Sequence, residues 1–163
     1  MKWARQAGAL SEGDARRLLR EAASRPGEAA AAFARGTDLR EAVYRILSAA
    51  AAGRRPDAAD LGTLNDRLSE ALSRLRVMPR AGAFAWGWDA GDALGRVLWP
   101  VARSAAELLV SDEMPRVREC AGEGCGWLFV DASRNRLRRW CDMKSCGNRA
   151  KARRHYERAK AGR

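Results

Sequence analysis

The chain has 163 residues, a length that fits one compact domain or a small domain with an appended module. Apolar residues make up 47% of it, enough to bury a core, and no run of about 18 of them occurs, which excludes a transmembrane helix. The formal net charge of +11 favours a polyanionic partner, and the placement of that charge says more than its total. Arginine supplies 27 of the 31 cations, and heavy Ala and Arg usage also arises from a GC-rich genome. Residues 116–163 hold 14 Lys and Arg against 5 Asp and Glu, a net of +9, whereas residues 1–115 carry a net of +2.

The N-terminal sequence MKWARQAGALSEGD has neither the apolar core nor the cleavage site of a signal peptide, so a cytoplasmic location is expected. Residues 2–8 read as the tail of a helix ending at Gly8. Ser11 with Asp14 predicts the cap of a helix over 12–24, broken by Pro26-Gly27. An Ala-rich helix is expected over 28–52, with an interruption at Gly36. Gly53-Arg54-Arg55-Pro56 reads as a linker. Leu61, Leu64, Leu68, Leu72 and Leu75 predict the apolar stripe of a helix over 57–74.

Residues 75–88 read as two short strands turning at Met78-Pro79-Arg80-Ala81-Gly82, with Trp86 and Trp88 on one face. Those two rings suit core or interdomain packing; a small-ligand pocket is the other reading. A helix over 90–111, kinked at Pro100, follows. A boundary near Asp112–Pro115 separates a helical domain, residues 1–113, from a module at 114–163. In the module, Arg116–Glu119 and Trp127–Asp131 read as short strands, and a helix is expected from Cys146 to Lys160. The expected fold class is mainly α, with a short β-hairpin in the first domain and a small α+β module after it.

Cys120, Cys125, Cys141 and Cys146 are spaced C-x4-C-x15-C-x4-C. In a reducing compartment, two close pairs at this separation point to one tetrahedral zinc ion with four cysteine ligands. Four thiolates leave no position for water, so the ion is expected to be structural. Gly122, Gly124 and Gly126 let the first loop curl around the metal and aim amides at the sulfurs. Disulfide pairing, buried thiols and iron–sulfur ligation are the alternatives.

The run Arg138-Arg139-Trp140-Cys141-Asp142-Met143-Lys144-Ser145-Cys146-Gly147-Asn148-Arg149-Ala150-Lys151 resembles the CGNR zinc finger, and Cys120, Cys125, Phe129, Asp131 and Ser133 agree with it upstream. The preceding helical region resembles the ABATE domain of bacterial proteins described as stress-induced transcription regulators. Together the resemblances imply a zinc-binding, DNA-binding bacterial regulator. ABATE proteins usually begin with a further stretch carrying a motif like LDFVNT. This chain has no such motif, so its first domain is expected to be partial.

The module is expected to be treble-clef-like: a loop bearing Cys120 and Cys125, a short hairpin, and Cys146 in the first turn of the last helix. On that helix Ala152, Tyr156 and Ala159 read as a narrow packed stripe with cations around it. Arg136, Arg138, Arg139, Lys144, Asn148, Arg149, Lys151, Arg153, Arg154 and Arg158 are the candidate nucleic-acid contacts. Each has a plainer reading. Arg134, Arg136, Arg138 and Arg139 also suit a solvated face that balances the zinc charge. Asn148 also suits a bond to loop backbone, and Arg149 an ion pair with Asp131 or Asp142. Phe129 and Trp140 suit module core, and His155, the single histidine, a surface position. DNA is the expected partner, with RNA or a protein as alternatives and no membrane. No H-x-E or paired-histidine motif occurs, so no catalytic residue and no enzymatic activity are expected.

Overall fold

Ser11 sets where the first described helix begins. Its hydroxyl accepts from the Asp14 N–H at 3.0 Å and caps α1, Glu12–Ser24. The computed structural model describes residues 6, 8, 10–89 and 94–161, so most of the expected helix over 2–8 lies outside the described residues. The Arg25 N–H bonds the Glu21 carbonyl at 3.0 Å and closes α1. Pro26 then opens α2, Pro26–Ala51, where its fixed φ suits the first helical position.

The helix α2 runs through Gly36 without the expected interruption. A Cβ at that position would lie 3.2 Å from Leu98 Cδ2, so the glycine serves close packing rather than a break. Its end is set by Gly53, at φ +68°, with Arg54 N–H returning to the Ala49 carbonyl at 2.8 Å.

Asp57 caps α3, Ala58–Ser73, by accepting from the Ala59 N–H at 2.7 Å. The buried side of α3 carries Asp60, Leu64 and Ala71, while Leu61 and Leu72 are exposed. The leucine stripe therefore lies to one side of the buried face, with Leu64 on that face and Leu61 and Leu72 off it.

β1, Leu75–Arg80, pairs antiparallel with β2, Ala83–Trp88, in the register Leu75–Trp88, Val77–Trp86 and Pro79–Phe84. Only Ala81 and Gly82 form the turn, at φ +42° and +83°, so Met78, Pro79 and Arg80 stay in the strand. Trp88 meets Trp99 with ring centroids 6.0 Å apart, and Trp99 Nε1–H donates to Glu70 Oε1 at 3.3 Å. Trp86, 62% exposed, has the Arg103 guanidinium 5.6 Å from its ring centre. The pair thus divides: Trp88 packs and Trp86 does not.

After residue 93, a 3-10 turn, Leu94–Leu98, leads into α4, Trp99–Leu109. Pro100 sits in the first turn of α4, so it begins a helix instead of kinking one. Residues 90–93, the expected start of this helix, lie outside the described residues. β3, Val117–Glu119, and β4, Leu128–Val130, pair antiparallel, and α5, Asn148–Ala161, ends the described chain. Mainly helical secondary structure with two small hairpins is the fold class read from the sequence.

The chain divides into two compact units, residues 1–43 with 57–108 and residues 44–56 with 109–163. In the first, Leu10, Leu18 and Leu94 form a buried cluster against Ala22, Ala29, Ala32 and Val97. In the second, Ile46 and Ala49 of α2 and Val117 of β3 are buried, and the Ser48 hydroxyl donates to Glu119 Oε2 at 3.0 Å. Leu18 is 1% exposed and its neighbour Leu19 54%. Leu18→Ala is therefore expected to cost about 2–5 kcal/mol in urea unfolding and Leu19→Ala no more than about 0.5 kcal/mol. Equal losses would place the buried face of α1 elsewhere.

Candidate metal centre

Three backbone devices bring the four cysteines together. The β3–β4 hairpin holds Cys120 and Cys125 in its connecting loop, where the Cys120 N–H bonds the Trp127 carbonyl at 2.8 Å. The loop is thus the hairpin's own turn rather than a segment ahead of it. Gly124 and Gly126 take φ +66° and +64°, which side chains rarely adopt. A Cβ on Gly122 would meet Cys146 Sγ at 3.1 Å and Cys120 Sγ at 3.4 Å. The second device is a π-turn over Met143–Gly147, in which Gly147 N–H reaches the Asp142 carbonyl at 3.1 Å. Asp142 caps it by accepting from the Ser145 N–H at 2.9 Å, and Cys146 sits buried within it, just ahead of α5. The third is a register bond, Ala121 N–H to the Arg139 carbonyl at 2.8 Å, which ties the first loop to the residues before Cys141.

The result is a cluster of four sulfurs within 4.8 Å of one another. Cys125 and Cys141 lie 3.7 Å apart, Cys141 and Cys146 3.8 Å, and Cys146 and Cys125 3.5 Å. A tetrahedron with metal–sulfur bonds of about 2.3 Å has edges of roughly 3.8 Å, so Cys125, Cys141 and Cys146 match one face of it, with Cys120 within 4.8 Å as the fourth corner. Donors surround the sulfurs as expected around thiolates. Gly122 and Cys141 donate backbone N–H groups to Cys120 Sγ at 3.4 and 3.3 Å, and Arg149 Nη2 donates to Cys146 Sγ at 3.1 Å. Burial raises the Cys120 thiol, but those two backbone donors, together with the Cys141 and Cys125 side chains, overcome it and bring its pKa to about 7. Burial, together with the neighbouring cysteine groups, pushes Cys141 up to about 12. Crowded thiols oppose one another's ionisation, and a divalent cation relieves that opposition by displacing their protons.

Asp131, fully buried, organises the segment between the two cysteine pairs. It accepts from the Ser133 hydroxyl at 2.5 Å, from the Ser133 N–H at 2.9 Å and from the Arg138 N–H at 3.0 Å. The bond from the Ser133 hydroxyl lowers its pKa most, against burial, with the two backbone donors and the Arg118 charge adding to it. Arg116 Nε bonds the Asp131 carbonyl at 3.1 Å. Arg138 lies over the Phe129 ring at 4.6 Å and donates to the Trp140 carbonyl at 2.9 Å and to the Cys141 carbonyl. It braces the loop from its exposed side.

Of the other candidate nucleic-acid contacts, Arg136 is exposed at φ +51°, and Arg139 lies over Trp140 at 5.5 Å. Lys144 is exposed, and the Asn148 amide donates to its carbonyl at 3.2 Å, the loop-backbone role read for Asn148. Arg149 pairs with neither Asp131 nor Asp142. Those carboxylates are taken up by backbone amides, and the Cys146 sulfur holds Arg149 and raises its pKa. Arg153 pairs with Glu123 in the first cysteine loop. Lys151, Arg154 and Arg158 share the opposite side of α5 and have no acidic partner among the described residues. Ala152, Tyr156 and Ala159 are all exposed, so the expected packed stripe does not form. Glu123 escaped the sequence reading, although it is the one acid inside the glycine-rich loop. His155 is exposed, and the cluster consists of the four cysteines.

Residues 116–159 match the family described as CGNR zinc finger, and residues 1–112 match the family described as ABATE, putative stress-induced transcription regulator. No curated protein sequence matches the chain. Among the described residues no helix is long and apolar enough to cross a membrane.

Asp131 titrates below the ordinary carboxylate range, so its stabilisation is complete above the unfolded value of about 3.9 and is lost as pH falls through the lower folded value. Asp131→Asn is expected to lower the stability of the cysteine unit at neutral pH. The gap between the two proteins should narrow on acidification below about pH 4. Tryptophan fluorescence during urea unfolding at several pH values measures it, and a gap independent of pH would remove Asp131 from this role.

Proposed function

The chain belongs to the ABATE family and ends in a CGNR zinc finger, and from that footing we propose that it is a zinc-stabilised, DNA-binding regulator of transcription. One Zn2+ is held by Cys120, Cys125, Cys141 and Cys146, a reading supported by the tetrahedral-edge spacing of the last three and by Cys120 lying within 4.8 Å of them. With all four positions filled by protein sulfur, the ion scaffolds the module and has no open site for chemistry. The reading includes no catalytic step. It places the protein in the cytoplasm, where thiols stay reduced and available to a metal.

The observation that carries the DNA assignment is the outer side of α5. Lys151, Arg154 and Arg158 line it, exposed and without acidic partners among the described residues. Leaving three cations unpaired on one helix side serves no packing purpose, and a row of phosphates is the complementary surface. Arg136 and Lys144, also exposed, extend the basic surface toward the cysteine loops.

Duplex DNA binding by the full chain, followed by fluorescence anisotropy as salt rises, tests this reading. Each phosphate contact contributes about −0.9 to the slope of log affinity against log salt. Substituting Lys151, Arg154 and Arg158 together by alanine is expected to flatten that slope by up to about 2.7 while metal content stays unchanged. An unaltered slope removes this face from the contact. Tighter binding to single-stranded RNA, or no polyanion binding at all, would overturn the DNA reading in favour of an RNA or protein partner.

A further inference from the structure

We propose that Arg149 is a positioning residue of the metal centre, an outer-sphere partner of the Cys146 thiolate, and that it makes no nucleic-acid contact. The inference rests on the reading of the four cysteines as a zinc site. Four thiolates and one divalent ion sum to a charge of −2, and this guanidinium lies hydrogen-bonded to one of those sulfurs at 3.1 Å. It brings the centre toward −1 and supplies Cys146 with a charged donor, where Cys120 receives two backbone amides.

Arg149 is an exposed residue whose guanidinium nonetheless turns to the cysteine cluster. It lines a cleft of about 280 Å³ with Gly122, Glu123, Cys146 and Arg153. One turn further along α5, Arg153 pairs with Glu123 of the same loop. Two successive turns of the helix thus turn their arginines to the metal centre, Arg149 to the Cys146 sulfur and Arg153 to Glu123 of the first cysteine loop. The Cys146-Gly147-Asn148-Arg149 run then has a local division of labour. Cys146 offers the sulfur, Gly147 leaves room for the Met143 side chain, Asn148 ties back to the Lys144 carbonyl, and Arg149 returns to the sulfur that began the run. The guanidinium fork can address the sulfur and still reach the helix surface, which a compact ammonium does less well.

Outer-sphere partners of metal ligands typically contribute 10- to 100-fold to affinity, roughly the effect expected here. The test uses the full chain loaded with Zn2+, and separately with Co2+, in competition with a chromophoric chelator. Arg149→Ala is expected to weaken retention about 10- to 100-fold, shift the thiolate-to-cobalt charge-transfer band and speed alkylation of the thiols. Arg149→Lys should restore part of each, and Arg154→Ala should change none. With metal in saturating excess, Arg149→Ala should leave the salt slope of DNA binding unchanged. Should the alanine variant fail to fold, Arg149→Gln, a donor without charge, gives the same comparison. Wild-type affinity, band position and alkylation rate in the Arg149 variants would overturn the inference alone. A wild-type chain that takes up neither ion would overturn the zinc reading and this inference with it.

Discussion

Four sulfurs held within 4.8 Å of one another oppose one another's ionisation, a constraint that a bound cation would relieve. The segment from 116 onward offers little else to hold it folded. Its buried apolar side chains are Val117 and the cysteines Cys120 and Cys146. The rest of the apolar interior of that unit comes from the end of α2, where Ile46 is fully buried and Ala49 nearly so. A metal bound by the four cysteines would stand where a larger domain has a core, and its coordination energy would be folding energy. The hairpin, the π-turn and the start of α5 each deliver a ligand to the same point, so the loss of any one ligand loosens all three elements.

Asp131 shows how a small unit tolerates a buried charge. A carboxylate removed from water is costly unless its oxygens are met, and here three donors meet them. The bonds run to residues two and seven positions later, so the acid folds the 131–138 segment around itself. That segment carries Arg134 and Arg136 outward and turns Arg138 back over Phe129. The direction in which these arginines point follows from a side chain that touches neither metal nor solvent.

Features with a local physical signature were legible in the sequence. The Ser11 cap, the existence of the two strand pairs and the paired cysteines all depend on residues close together in the chain, and these were read correctly, although the first turn is tighter than read and the second hairpin encloses the cysteine loop. The misreadings share a different cause. Gly36 was read as a break because its neighbour Leu98 is 62 positions away, and Pro100 as a kink because the preceding turn hides the helix start. Leu61 and Leu72 looked equivalent to Leu64 until packing chose one side of α3. Arg149 was assigned by charge to an aspartate or a phosphate, and no spacing rule in the sequence points a guanidinium at a thiolate. The contact becomes visible only once four sulfurs are in place.

The bareness of α5 has a thermodynamic side. Beyond Ala150 every described residue of this helix is exposed, so no tertiary burial supports it past its anchored first turns. A 14-residue helix in water is marginal on propensity alone, and its own cations repel one another along the outer side. Arg158 and Lys160 lie in the last turn, where the helix dipole favours positive charge and offsets part of that repulsion. The helix–coil balance of its distal half is thus set by the ionic surroundings. A neighbouring polyanion would remove the repulsion and lengthen the helix, whereas dilute monovalent salt would leave its end frayed. Part of the free energy of any such encounter would then go into completing secondary structure, with a corresponding loss of chain entropy.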